Sequence, residues 1–193
     1  PSRSSAASDV YKRQALREEF FPNEEISYEC KESGSKISII PYESYSVDTK
    51  VDYDTKVLGT QTAILNDISE FKNEISSART FSFLHELETL LENGLIKGGD
   101  LNNAIVYVDK PLSTSNMDRL KKAFNKDSIS VKENGILDNL SLHYPNEAAR
   151  HKLLDIIGDL ALIGIKIRGK VIAEKPGHSI NCLLYTSDAA DER

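Results

Sequence analysis

Among the four histidines of the sequence, His151 stands in a regular row with two carboxylates. Asp155 and Asp159 follow it at intervals of four residues, a spacing that places all three side chains on one face of a helix. An imidazole and a carboxylate one helical turn apart can share a zinc ion, although such a pair needs at least one further ligand from elsewhere. The same pair could instead form an ion pair on a helix surface. Spacing alone leaves both interpretations open.

The helix predicted to carry this row is otherwise rich in apolar residues. They are Leu153, Leu154, Ile156, Ile157, Leu160 and Ala161. Such a helix buries most of its surface, and a carboxylate drawn into a protein interior must be paired, hydrogen-bonded or metal-bound. The row of polar residues therefore favours a functional role more than an isolated pair would.

The other three histidines have weaker local signals. His178 follows a glycine and is predicted to lie in a loop, where an imidazole could act as a general acid or stabilise an oxyanion. It could equally be an ordinary surface histidine. His85 lies between Leu84 and Glu86 and His143 lies beside Tyr144, and neither stands in a spacing typical of metal ligands. We expect both to be structural.

Periodicity predicts the elements that must position these residues. Alternating residues from Glu25 to Tyr53 predict antiparallel strands. Helical spacing from Phe83 onward predicts a helix with Ser82 as its N-cap, and a buried strand follows at 104–108. Further helices are predicted at 117–124 and 146–163, and a last strand at 165–173. The predicted fold class is α+β, with one domain in two layers.

Composition narrows the class of protein. The chain has 193 residues, of which 39% are hydrophobic, which suits one domain with a real core. The net charge is −6 and there is no long basic stripe, so nucleic acid is not an expected partner. No apolar run approaches the roughly 20 residues of a membrane-spanning helix, so no membrane span is expected.

Both ends of the chain resemble translated sequencing adapter. Residues 4–14 (SSAASDVYKRQ) and 182–192 (CLLYTSDAADE) can be encoded by opposite strands of one DNA string. We therefore expect residues 1–14 and 182–193 to be artefactual tails and 15–181 to be the natural segment. That segment has a single cysteine, Cys30. A disulfide framework is then not expected, which is typical of a reducing compartment such as the cytoplasm.

Four segments together resemble one enzyme family. They are Ala78–Phe83, Gly98–Ala104, Arg150–Leu160 and Gly177–Asn181. Their order and spacing resemble the UDP-3-O-acyl-N-acetylglucosamine deacetylases, the zinc amidases of lipid A biosynthesis. The resemblance implies two β-α-α-β sandwich domains with the active site between them. Residues 15–181 would be the second domain, with a small β-α-β insert at about 80–108, and the first domain of the same chain would be missing.

The resemblance also implies roles for individual residues. His151 and Asp155 would be two of three ligands of a zinc cofactor. The third would be a histidine directly preceded by the glutamate that acts as general base, both in the first domain, and no Glu-His pair occurs in this sequence. His178 would be the catalytic histidine, oriented by Asp159. The substrate-binding residues would be Thr80, Phe81 and Lys152, with Leu87, Ile96, Leu101 and Ala104 lining a passage for the acyl chain.

Two further possibilities stay open at this point. The segment could be a non-catalytic domain of the same descent that binds a nucleotide sugar or a partner protein. A dehydratase domain could also be fused downstream, as in some members of the family. Because half of the implied zinc site lies in another domain, we expect the isolated chain to be inactive or nearly so.

Overall fold

The computed structural model describes residues 18–87, 104–110, 114–123, 126–131, 135–137 and 140–191. Ile96, Leu101 and the first predicted tail lie outside these residues. The strands are β1 (Glu19–Phe20), β2 (Ile26–Cys30), β3 (Ser35–Ile40), β4 (Tyr45–Asp52), β5 (Thr60–Leu65), β6 (Thr80–Phe83), β7 (Ala104–Tyr107), β8 (Lys166–Ile167) and β9 (Gly169–Glu174).

The helices complete a mixed α and β structure, in agreement with the predicted class. They are α1 (Phe71–Glu74), α2 (Thr114–Ala123), α3 (Glu147–Ala161) and α4 (His178–Asp191), with a 3-10 turn at Ile68–Glu70 before α1 and a helical stretch at 84–87. None of the described helices is long and apolar enough to cross a membrane. The specific β-α-α-β sandwich stays a prediction.

The main sheet has five strands in the order β2-β3-β9-β4-β5. The strands predicted from Glu25 to Tyr53 are present and alternate in direction as predicted, but β3 and β4 are not neighbours in the sheet. β9 inserts between β3 and β4 and runs parallel to β4, with Val171 opposite both Ile39 and Val47. Local alternation reveals a strand but not its partner, so a central strand more than a hundred residues away was not foreseeable.

Two helices cover this sheet. α3 packs against β4 and β5, α4 packs against β2 and β3, and the two helices contact each other. The residues of α3 that are buried in the core follow helical spacing: Ala149, Leu153, Ile156 and Leu160. The predicted helix 146–163 is thus confirmed within two residues at its C-terminal end. Asn146 precedes it, although its side chain forms no capping hydrogen bond and donates instead to the Thr62 carbonyl at 2.7 Å.

A smaller unit is built from two parallel strands. β6 pairs with β7 so that Thr80 lies opposite Ala104 and Phe83 opposite Tyr107. Both strands lie within the range of the predicted insert. The helix that follows β6 begins at Leu84, and the proposed N-cap Ser82 belongs to β6. The Glu86 carboxylate accepts a hydrogen bond from the Phe83 amide at 3.0 Å, as in a capping box. The N-cap is therefore one residue later than predicted.

Gly135 offers a direct test of this packing. Its φ is +74°, and a Cβ atom there would lie 2.5 Å from Val57 Cγ1. We expect Gly135→Ala to lower the free energy of unfolding by about 2–5 kcal/mol, because left-handed strain and overpacking add. The control is Gly34→Ala, where φ is +66° but no atom lies within 4 Å; strain alone should cost about 1–2 kcal/mol. If urea denaturation showed the same loss of unfolding free energy for Gly135→Ala and Gly34→Ala, the close contact of Gly135 with Val57 would be contradicted.

Candidate active site

Four polar residues at intervals of four line one side of α3. Glu147 precedes the three that sequence reasoning singled out, His151, Asp155 and Asp159. The side chain of Glu147 is fully buried, and those of His151 and Asp155 are 17% and 13% exposed. Asp159 is also only 13% exposed. The row thus lies largely out of water, where each charge needs a partner.

His151 and Asp155 are brought together as the spacing predicted. His151 Nε2 lies 3.5 Å from Asp155 Oδ1, and His151 Nδ1 lies 3.1 Å from the carbonyl oxygen of Ala78. Because a carbonyl can only accept, Nδ1 is the atom that donates, which leaves the Nε2 lone pair available in the neutral ring. Metal-binding histidines commonly have such a partner on the other ring nitrogen.

These donors fit part of a zinc site. Imidazole nitrogen and carboxylate oxygen both suit zinc, and catalytic zinc takes three protein ligands. Within the part of the chain that the structure describes, no group of three or more His, Cys, Asp or Glu residues could hold a metal ion. A zinc ion held by His151 and Asp155 would therefore need a ligand from outside the described residues.

Lys152 links the Asp155 carboxylate to two aromatic rings. Lys152 Nζ donates to Asp155 Oδ2 at 3.1 Å and lies 5.8 Å from the centre of the Phe81 ring. Tyr53 packs edge-on against Phe81, with 5.3 Å between the ring centres. Burial, with the charges of Asp155 and Glu86 adding to it, raises the pKa of Tyr53 to about 12. Tyr53 thus remains a neutral phenol, packed against Phe81.

The second histidine of the site pairs with the last member of the row. His178 Nδ1 lies 3.0 and 2.9 Å from the two carboxylate oxygens of Asp159. His178 is not in a loop as predicted but is the first residue of α4, and its side chain is 69% exposed. One turn later the buried Asn181 donates to Asp159 Oδ2 at 2.9 Å. The Asp159 carboxylate is therefore held from two positions of one helix.

The remaining predicted site residues lie on or next to the small β6–β7 unit. Thr80 is exposed at the start of β6, and Phe81 and Ala104 are half-buried on the paired strands. Leu87 packs against the cluster of Leu84, Val106, Leu120, Ile129 and Leu137. The structure thus gathers Phe81, Lys152 and Asp155, while Ile96 and Leu101 stand outside the described residues.

Sequence reasoning missed four residues that contact the site. They are Tyr53, Arg79, Glu147 and Asn181. Glu147 could have been found, since it continues the four-residue spacing by one step. Asn181 was missed because a loop was predicted at His178, and only a helix there places Asn181 one turn later on the same side, near Asp159.

His85 also has a neighbour that its sequence context does not reveal. Its Nδ1 lies 3.1 Å from Asp109 Oδ1, and its ring stacks on Phe83. His143 contacts a different segment, since its Nδ1 lies 2.9 Å from the Ser77 carbonyl oxygen. The two histidines expected to be structural therefore both have defined partners, and the His143 backbone amide also donates to Glu147, the first member of the row on α3.

Comparison with known proteins gives this arrangement its context. The family model of UDP-3-O-acyl N-acetylglycosamine deacetylase (LpxC) matches residues 6–124 and 114–187. The chain belongs to this deacetylase family. The match spans β2 to β9, α3 and both histidine–carboxylate pairs of the site.

Several relatives extend the comparison. The chain is 42% identical to the bifunctional enzyme LpxC/FabZ of Bacteroides thetaiotaomicron over 167 residues, 86% of this chain and 36% of that protein. It is 49% identical to the protein of the same name from Porphyromonas gingivalis over 150 residues, 78% of this chain and 32% of that one. The UDP-3-O-acyl-N-acetylglucosamine deacetylase of Nitratidesulfovibrio vulgaris is 34% identical over 148 residues, 77% of this chain and 40% of the relative. The chain thus spans about a third of these LpxC-family relatives.

Proposed function

We propose that this chain is part of a zinc-dependent deacetylase. The whole protein would hydrolyse the acetamide of UDP-3-O-acyl-N-acetylglucosamine, the committed step of lipid A biosynthesis, and release acetate. The observation that carries the proposal is the pairing of His151 Nε2 with Asp155 Oδ1 at 3.5 Å, one turn before Asp159, which pairs with His178 of α4. The names of the family and of several relatives supply the substrate class.

In this proposal His151 and Asp155 hold the zinc ion. When bound, zinc supplies Lewis acidity that activates water and polarises the acetamide carbonyl. The Ala78 carbonyl fixes the His151 ring at Nδ1, which leaves Nε2 as the atom that would bind zinc. The third ligand and the general base come from the first domain of the whole protein, which is not part of this chain.

The second pair, His178 and Asp159, would stabilise the charge that develops on the substrate and transfer a proton to the departing amine. Asp159 accepts from His178 Nδ1, so the imidazole ring is held in one orientation. His178 Nε2 is then the atom that stabilises the developing oxyanion or donates a proton to the departing amine. Its exposure suits a group that must meet a substrate arriving from solvent.

The residues around Asp155 would bind the substrate. Lys152 would bind polar groups of the substrate, and the rings of Phe81 and Tyr53 would pack against it. Thr80 lies at the start of the same strand as Phe81. We propose that Leu87, Ile96, Leu101 and Ala104 line the passage for the acyl chain. A narrow apolar passage of this kind would bury most of a fatty tail.

The proposal extends to the parent protein. Since the chain spans only 32–40% of the relatives described above, the parent has room for a first domain. Two of those relatives are named as bifunctional, which supports a dehydratase domain fused downstream. The proposal also includes a cytoplasmic location, which the single cysteine of the predicted natural segment favours.

A comparison of two proteins tests the proposed function. The parent protein, with its first domain, should release acetate from UDP-3-O-acyl-N-acetylglucosamine and lose this activity when a chelator removes zinc. The isolated chain should release no acetate above background and bind zinc weakly, because it offers two protein ligands where three are needed. If the zinc-loaded parent binds the nucleotide sugar but releases no acetate, the chain is a binding domain and the proposal is wrong.

A further inference from the structure

We infer that the ion pair of Arg79 with the buried Glu147 positions the zinc ligand His151 and sets how long zinc stays bound. The inference rests on the proposed function. It assigns a role to two residues that lie outside the reacting groups, and it is carried by a chain of contacts that leads from Glu147 through Arg79 and Ala78 to the His151 ring.

The first link is the environment of Glu147. Its carboxylate accepts from the Arg79 backbone amide at 3.0 Å, from Arg79 Nε at 2.8 Å and from Arg79 Nη2 at 3.0 Å. The backbone amide of His143 donates to it at 2.7 Å. The side chain is fully buried. Four donors from two separate segments therefore converge on the first residue of α3.

The charge state of Glu147 supports this arrangement. Burial by itself would raise the pKa of its carboxyl, but the hydrogen bonds from Arg79 and His143 outweigh burial and hold the pKa below its usual value. Glu147 is therefore a carboxylate, and Arg79 engages it through two nitrogen atoms in a forked arrangement. Such a forked pair fixes the orientation of the Arg79 guanidinium relative to the Glu147 carboxylate as well as their distance.

The second link is the step from Arg79 to His151. Ala78 directly precedes Arg79, and its carbonyl oxygen lies 3.1 Å from His151 Nδ1. His151 is four residues after Glu147 on α3, so both side chains belong to one row of the helix. Glu147 holds Arg79 in place, and the carbonyl of the preceding residue, Ala78, holds the His151 ring. A shift of Arg79 would move the Ala78 carbonyl away from Nδ1.

A third contact shows that the pair joins more than two elements. Arg79 Nη2 also donates to the Ser141 carbonyl at 2.8 Å, and His143 Nδ1 lies 2.9 Å from the Ser77 carbonyl. The segments 77–79 and 141–143 are thus bonded to each other in both directions. An apolar pair of the same volume could fill this space, but it would not fix the register of Ala78 against α3.

The test measures zinc release from the zinc-loaded parent protein in the presence of a chelator. Glu147→Gln removes the charge at nearly constant volume and should speed zinc dissociation about 10-fold, at the lower end of what partners behind a metal ligand typically contribute. Arg79→Lys keeps the cation but loses the fork, and it should give a smaller increase. The matched control is Val47→Ala, a cavity in the core of β4. It should leave the dissociation rate of the folded protein unchanged.

The outcomes separate this inference from the proposed function. If Glu147→Gln and Arg79→Lys both release zinc at the wild-type rate, while His151→Ala loses zinc, the pair is merely structural and this inference is overturned. If His151→Ala keeps zinc as tightly as wild type, the ligand assignment itself is wrong. Should Glu147→Gln fail to fold, Arg79→Lys decides alone. Nitrogen chemical shifts of the His151 ring in the zinc-free protein provide a second readout, because there the variants should lose the single Nδ1–H form.

Discussion

His151→Ala in the full-length protein should weaken zinc binding by more than about 100-fold, because even residues that only orient a metal ligand commonly contribute 10- to 100-fold. Deacetylation should fall to near background at the same time. The physical reason is that His151 Nε2 and Asp155 Oδ1 are 3.5 Å apart and offer one donor each. With one of them gone, α3 cannot hold the ion. Competition with a chromophoric chelator measures the affinity, and acetate release measures the activity.

His85→Ala is the matched control for that experiment. His85 is also a histidine beside a carboxylate, with 3.1 Å from its Nδ1 to Asp109 Oδ1, but it lies at the small β6–β7 unit and not on α3. Its replacement should leave the zinc affinity within about twofold of wild type, since substitutions away from a site change free energies by less than about 0.5 kcal/mol. Equal zinc loss in both variants would mean that His151 is not a specific ligand.

The part of this site that lies on one helix was predictable from the sequence. The spacing of His151, Asp155 and Asp159 is a local property, and a helix converts intervals of four residues into a row without help from the rest of the chain. The apolar residues between them predicted α3 for the same reason. The strand alternation at β2 and β4 was equally readable.

The contacts that join distant segments were not predictable in this way. β9 lies between β3 and β4, which only the assembled sheet reveals. Arg79 and Glu147 are 68 residues apart, and neither residue type signals its partner. The resemblance to a family supplied roles for His178 and Asp159, whereas their 2.9 Å contact follows from how α4 packs beside α3. Local sequence patterns thus predict which side chains lie together on one helix or strand, whereas contacts between two elements depend on how the chain packs.

His178→Ala should lower kcat in the full-length protein by roughly 100- to 10,000-fold, the range typical of a lost general acid or base. Zinc affinity should be unchanged, because His178 contacts Asp159 and not the ligand pair. Asp159→Asn should lower kcat less, by roughly 10- to 100-fold, as for other groups that orient a histidine. Asp48→Asn is the matched control: Asp48 is also paired, with 2.7 Å to Lys170 Nζ, but it lies on β4, and kcat should stay unchanged.

The double variant decides whether Asp159 acts through His178. If Asp159 only holds and stabilises the imidazole, removing it matters only while that imidazole is present, so the double variant should lose no more activity than His178→Ala alone. Independent effects would multiply and make the double variant at least about 10-fold slower than His178→Ala, and that result would give Asp159 a separate role in the reaction. The geometry favours the first outcome, since both carboxylate oxygens of Asp159 lie within 3.0 Å of His178 Nδ1.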